Sequence, residues 1–152
     1  MEFAEILPYF SEKRFIAELQ ATTKQGALEE LADKFVDSDL IRNRDILIEM
    51  LQRRESVGST GIGHGIAIPH GRTTATAELT VAFGKTSAGI DWNSIDKEPV
   101  KLIFLIVAPP SEEKNKYLPM LGTLVEFLSK EKNRERLLNT QTFEEFKQIL
   151  TD

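Results

Sequence analysis

The chain contains no cysteine. That excludes disulfides, thiolate catalysis and zinc–thiolate sites together. Basic runs are missing as well. The net charge is −5, and the densest cluster, "KEKNRER" at 130–136, mixes both signs and reads as a solvated helix face. Nucleic-acid binders carry a basic surface, so that class is set aside. The longest apolar run, "LIFLIVA" at 102–108, is far short of the roughly 20 residues that span a bilayer. The opening "MEFAEILPYF" lacks the basic-then-apolar layout of a signal peptide. The expectation is a cytoplasmic chain with no membrane insertion. Repeats, low-complexity stretches and linkers are also absent, so residues 1–152 read as one domain.

What is present alternates between strand and helix patterns. "RFIAELQA" at 14–21 reads as a first strand. Thr22 and Thr23 then offer N-caps for a helix over 24–37, whose Ala27, Leu28, Leu31, Ala32, Phe35 and Val36 keep helical spacing. A second helix is expected over 43–54, burying Ile46, Leu47, Met50 and Leu51. "GIAIP" at 65–69 is a short strand, and "ELTVAFGKT" at 78–86 alternates as a half-buried strand should. "VKLIFLIVAP" at 100–109 is apolar almost throughout, which marks a central strand covered on both faces. Ser111 is placed to cap a short helical turn. A helix over 116–129 would turn Leu118, Leu121, Leu124, Val125 and Leu128 inward. "NRERLLN" gives a short helix, and Thr142 with Glu145 opens the last one as a capping box. Interleaved strands and helices around an apolar strand predict an α/β domain, a sheet between helical layers.

The stretch "GIGHGIAIPHGRT" at 61–73 holds both histidines, His64 and His70. Gly58, Gly61, Gly63, Gly65 and Gly71 crowd around them. Glycine costs backbone entropy, so the cluster serves either a tight irregular loop or close approach of a ligand. Ser59 and Thr60 add hydroxyls, and such loops form anion-binding nests. No lysine follows in P-loop spacing, which argues against a nucleotide site. Pro69 has no N–H and marks a strand end or edge, holding Ile68 extended. His70 therefore emerges on a stiff backbone, with Gly71 leaving its ring uncrowded. Three roles compete for it: a residue that only packs or solvates, a metal ligand with His64, or a nucleophile. The six-residue separation of the histidines fits no short zinc spacing. An ordinary imidazole, with a pKa of about 6.5, is mostly neutral near pH 7 and nucleophilic. A phosphoryl group transferred to the ring brings about two negative charges. Arg54, just before the loop, could meet them. It could equally complement the C-terminus of its helix, as could Arg53.

"RESVGSTGIGHGIAIPHGR" resembles the active-site segment of enzyme IIA domains of the bacterial phosphoenolpyruvate-dependent sugar phosphotransferase system, in the fructose/mannitol/nitrogen-regulatory class. The resemblance extends more loosely over the whole chain. It implies one domain with a mixed sheet flanked by helices, and no cofactor or metal. It implies that His70 is the phosphorylated residue, through Nε2, that Arg54 holds the phosphoryl group, and that Ser59 and Thr60 line the same pocket. The donor would be the histidine-containing phosphocarrier protein (HPr) or its nitrogen-branch paralogue. The acceptor would be a separate enzyme IIB or a regulatory target, since a cysteine-bearing IIB domain cannot lie in this chain. Length favours the nitrogen-regulatory branch, with a sugar-specific fructose/mannitol-type IIA as the alternative. A histidine-dependent metal hydrolase is the third reading. Many members of the class carry a second active-site histidine where this chain has Tyr117. Tyr117 and His64 are expected as pocket neighbours.

Overall fold

Strand β6, Val100–Ala108, organises the molecule. The computed structural model describes residues 1–152. Along β6 successive side chains alternate faces. Leu102, Phe104, Ile106 and Ala108 enter one apolar core, and Ile103, Leu105 and Val107 enter the other. A strand buried on both faces needs an unbroken apolar run, which is what 102–108 supplies.

The first core is closed by α3 (Tyr117–Leu128), α4 (Glu131–Leu138), α5 (Phe143–Thr151) and an N-terminal 3-10 helix, Phe3–Tyr9. The second is closed by α1 (Lys24–Asp37) and α2 (Arg44–Ser56). Each fully buried Leu or Phe in these layers contributes about 1.5–3 kcal/mol. Between the layers lies one mixed sheet in the order β1-β5-β6-β3-β2. Here β1 is Phe15–Ile16, β2 Gly61–Gly63, β3 Ile66–Ala67 and β5 Thr80–Ile90. Strand β4, His70–Arg72, also pairs with β6, beyond β3 on the same side. Strands β5 and β6 are antiparallel; β1 runs parallel to β5, and β3 and β4 run parallel to β6. The sheet between helical layers is the architecture expected from the sequence.

Helix starts follow the side-chain caps. Thr23, Asn43 and Thr142 accept from the N–H groups of Gly26, Ile46 and Glu145. Several details depart from expectation. The first strand shrinks to Phe15–Ile16, and residues 12–14 form a 3-10 turn instead. Strand β5 is buried on both faces from Thr80 to Thr86, because helices cover both sides of the sheet. Ser111 caps no helical turn. Glu112 instead reaches forward to accept from the N–H groups of Lys116 (2.6 Å) and Tyr117 (3.1 Å), so it caps α3. Ile46 on α2 and Leu118 and Val125 on α3 face solvent, while Ile48, Met120 and Phe127 fill the core.

Candidate functional site

Pro69 separates β3 from β4, where a residue without an N–H interrupts no ladder. Its carbonyl still accepts from Ile106 (2.9 Å), so the chain stays fixed to β6 through the break. His70 begins β4 opposite Ile106. Alternation then sorts the next residues. Gly71 faces α2, where a Cβ would lie 2.3 Å from the Met50 sulfur. The glycine thus admits close packing of α2 against β4, a different reason from leaving the imidazole uncrowded. His70 and Arg72 share the opposite face, toward α3.

The His70 ring is half-buried, and its Nδ1 lies 2.7 Å from the carbonyl oxygen of Ile68. A carbonyl can only accept, so Nδ1 carries the proton. Nε2 is then left with its lone pair. Tyr117, the first residue of α3, stands beside it with ring centroids 6.4 Å apart. Arg72 lies over the other part of this site, its Cζ 4.5 Å from the Tyr117 centroid and its Nη1 donating to Pro109 O (3.0 Å). Burial raises the Tyr117 phenol above its ordinary value, while the charges of Arg72 and Arg54 pull it down. Arg54 donates through Nη1 to Gly58 O (3.0 Å). Neither arginine pairs with a carboxylate. Arg53, by contrast, points outward and pairs with Glu49.

Ser59 and Thr60 are already engaged. Ser59 Oγ donates to Trp92 O (2.7 Å) and accepts from Gly61 N (3.1 Å). Thr60 Oγ1 donates to Glu55 (2.5 Å) and accepts from the Trp92 indole (3.0 Å). Glu55 also accepts from Thr60 N (3.2 Å) and pairs with Lys24 (2.6 Å). Thr60 O in turn accepts from Ile68 N (3.0 Å). A continuous set of hydrogen bonds thus runs from Trp92 through Thr60 and Ile68 to His70. These hydroxyls shape the loop rather than project from it.

His64 is not brought to His70. It sits with Gly65 in the turn joining β2 to β3, at φ 57°, and its N–H donates to Asp96 (3.0 Å). Gly65 O bonds at the level of Lys101 and Leu102, whereas His70 stands opposite Ile106. Five strand residues separate the two levels, roughly 16 Å. No three His, Asp or Glu side chains gather as a metal site would require, and no helix is long and apolar enough to cross a membrane.

Sequence reasoning missed Arg72, although its spacing of two from His70 on a strand was a usable signal. It also missed Glu55, Lys24 and Trp92, which no local pattern connects.

Known proteins share this arrangement of elements. The chain is 37% identical over 130 residues to the PTS system fructose-specific EIIA component of Haloferax volcanii, covering 86% of this chain and 84% of that one. It is 34% identical over 131 residues to the nitrogen regulatory protein of Escherichia coli K12, covering 86% and 79%. The crystal structure of nitrogen regulatory protein IIA-Ntr from Neisseria meningitidis superposes with a TM-score of 0.85 at 30% identity, over 94% of this chain and 97% of that one. Residues 8–152, which hold the sheet, the Pro69 break and every side chain around His70, match the family described as "Phosphoenolpyruvate-dependent sugar phosphotransferase system, EIIA 2", and the chain belongs to that family.

Proposed function

We propose that the chain is a phosphoryl carrier that works through His70. Nε2 attacks the phosphorus of a donor phosphohistidine. The new Nε2–P bond forms as the donor's N–P bond breaks, and that electron pair returns to the donor imidazole. No proton need move, because Nδ1–H stays on Ile68 O and the modified ring carries the positive charge. In onward transfer the acceptor's nucleophile, a thiolate where it is cysteine, bonds to phosphorus as the Nε2–P bond breaks, and that electron pair returns to the His70 ring. The observation that carries this reading is the 2.7 Å bond from His70 Nδ1 to Ile68 O, which leaves Nε2 as the one nucleophilic ring nitrogen. Preset orientation of this kind accounts for much of the rate in such reactions.

Arg54 supplies a charge-assisted contact to the phosphoryl oxygens, and Tyr117 offers a neutral donor. Ser59 and Thr60 support the site by holding the loop, since their hydroxyls are already bonded. The proposed donor is the histidine-containing phosphocarrier protein or its nitrogen-branch paralogue. The acceptor is a regulatory target, in keeping with the nitrogen regulatory relatives. The fructose-specific relative supports a second reading, transfer to a cysteine of a sugar-specific IIB domain. The test is incubation with phosphoenolpyruvate and the general phosphotransferase proteins. The chain should gain one acid-labile phosphate, and His70→Ala should gain none. Stoichiometric labelling of His70→Ala overturns the assignment. Adding a IIB domain separates the branches, since only the sugar-specific reading predicts loss of label to its cysteine.

A further inference from the structure

We infer that Arg72 is a second phosphoryl-binding cation of the site, held in place by the ring of Tyr117. This rests on the reading of His70 as the acceptor. Three independent features point to it. Arg72 stands two residues after His70 on β4, so both side chains leave the same face of the strand. Its guanidinium is fixed from two sides, by the Tyr117 ring at 4.5 Å and by Pro109 O at 3.0 Å. And it has no carboxylate partner, although the chain carries 24 Asp and Glu residues.

A guanidinium has five N–H donors in a planar fork, of which the Pro109 carbonyl takes one. The remaining donors stay available, and the fork matches the geometry of phosphate oxygens. Stacking on an aromatic face restricts the long side chain beforehand, so less entropy is lost when an anion arrives. Tyr117 itself cannot carry positive charge. Its contribution in this arrangement is mainly the platform, with the charge supplied by the arginine stacked on it. Arg54 stands in the last turn of α2 and Arg72 on β4. The phosphoryl group on Nε2 would then draw on cations from two different elements. The bonds made and broken in transfer are unchanged; Arg72 stabilises the charge on the three non-bridging oxygens as they pass from donor to His70.

The test compares wild type, Arg72→Gln, Arg72→Lys and Arg72→Gln with Tyr117→His, each phosphorylated by phosphoenolpyruvate and the general proteins and followed by rapid quench. Arg72→Gln should still reach one phosphate on His70, but form it ten- to hundred-fold more slowly. Arg72→Lys should recover part of the rate, since it keeps charge but not the fork. The double variant should also recover, because a histidine at 117 can carry the missing charge. Arg72→Gln is exposed and should melt close to wild type, and Arg72→Lys guards against a folding defect in the amide. A rate for Arg72→Gln within twofold of wild type overturns the proposal while leaving His70 as acceptor. Failure of wild type to label, or labelling of His70→Ala, overturns the underlying reading and this proposal with it.

Discussion

Replacing Arg54 by alanine separates a binding role from a structural one. In the folded chain the Arg54 guanidinium makes one hydrogen bond, to the carbonyl of Gly58 at 3.0 Å, and Gly58 is itself exposed. Water can take over that carbonyl, so the loss in stability should stay at or below about 1 kcal/mol. For a domain of this size that corresponds to a melting temperature lower by only about 2–4 °C. Transfer should suffer far more. A hydrogen bond to a charged group is worth about 1.5–3 kcal/mol, and about 1.4 kcal/mol changes a rate tenfold. Arg54→Ala should therefore take up phosphate roughly ten- to hundred-fold more slowly. The matched control is Arg53→Ala, next in sequence, which loses only an exposed pair with Glu49 and should cost a few tenths of a kcal/mol, about 0.3–0.5. Rapid-quench phosphorylation and thermal melts on the same samples give both numbers. If Arg53→Ala slows transfer and Arg54→Ala does not, the wrong arginine carries the role. If Arg54→Ala lowers melting as strongly as rate, its part is structural.

Four further outcomes follow from the same geometry. Gly71→Ala forces a methyl against the Met50 sulfur and should cost about 1–3 kcal/mol in urea unfolding; adding Met50→Ala should recover part of this, and an additive double variant would contradict the packing argument. Glu55→Gln breaks the pair with Lys24 and weakens the hold on Thr60, so it should destabilise by about 1.5–3 kcal/mol and slow labelling of His70, with unchanged stability the contrary result. His64→Gly relieves a φ of 57° and should stabilise by up to about 1 kcal/mol while leaving phosphorylation intact; loss of labelling would place His64 in the chemistry. The Tyr117 phenol, raised by burial, should titrate above 10.0 in an ultraviolet difference titration of wild type against Tyr117→Phe. The fold holds this proton more tightly than the unfolded chain does, so the contribution to stability is complete below the unfolded value and is lost as pH rises through the folded one. Arg72→Gln should push the midpoint higher still, by removing an opposing charge, and a midpoint at or below 10.0 in wild type refutes the burial argument.

Much of the frame was legible because single residues decide it. Thr23, Asn43 and Thr142 cap helices where a side-chain oxygen must accept an N–H, and the apolar run of β6 admits only a strand covered on both faces. Pro69-His70-Gly71 marked a fixed histidine, since proline constrains its neighbours locally. What stayed hidden depends on distant partners. The inward face of α3 is set by the angle at which α3 meets the sheet, so Leu118 and Val125 lie outside despite helical spacing. The sequence pattern assigns no element to the first ten residues, yet Ile6 and Phe10 complete the first core, with Phe10 packed against Phe104 and Phe146. Ser59 and Thr60 read as free hydroxyls because Trp92, more than thirty residues on, cannot be placed beside them from sequence. Arg72 was within reach, since two residues along a strand return to the same face. His64 was expected as a pocket neighbour of His70, but a turn and a strand send the two to different levels of the sheet.

The central claim is that the lone pair of His70 Nε2 is the site of phosphorylation. It is tested most directly by phosphorylating chain labelled with nitrogen-15 at histidine and reading the two imidazoles by NMR. The prediction is phosphorus coupling at Nε2 of His70, with Nδ1 still protonated and bonded to Ile68, and an unaltered His64 ring. Phosphorus coupled to Nδ1 of His70, or to either nitrogen of His64, would contradict it.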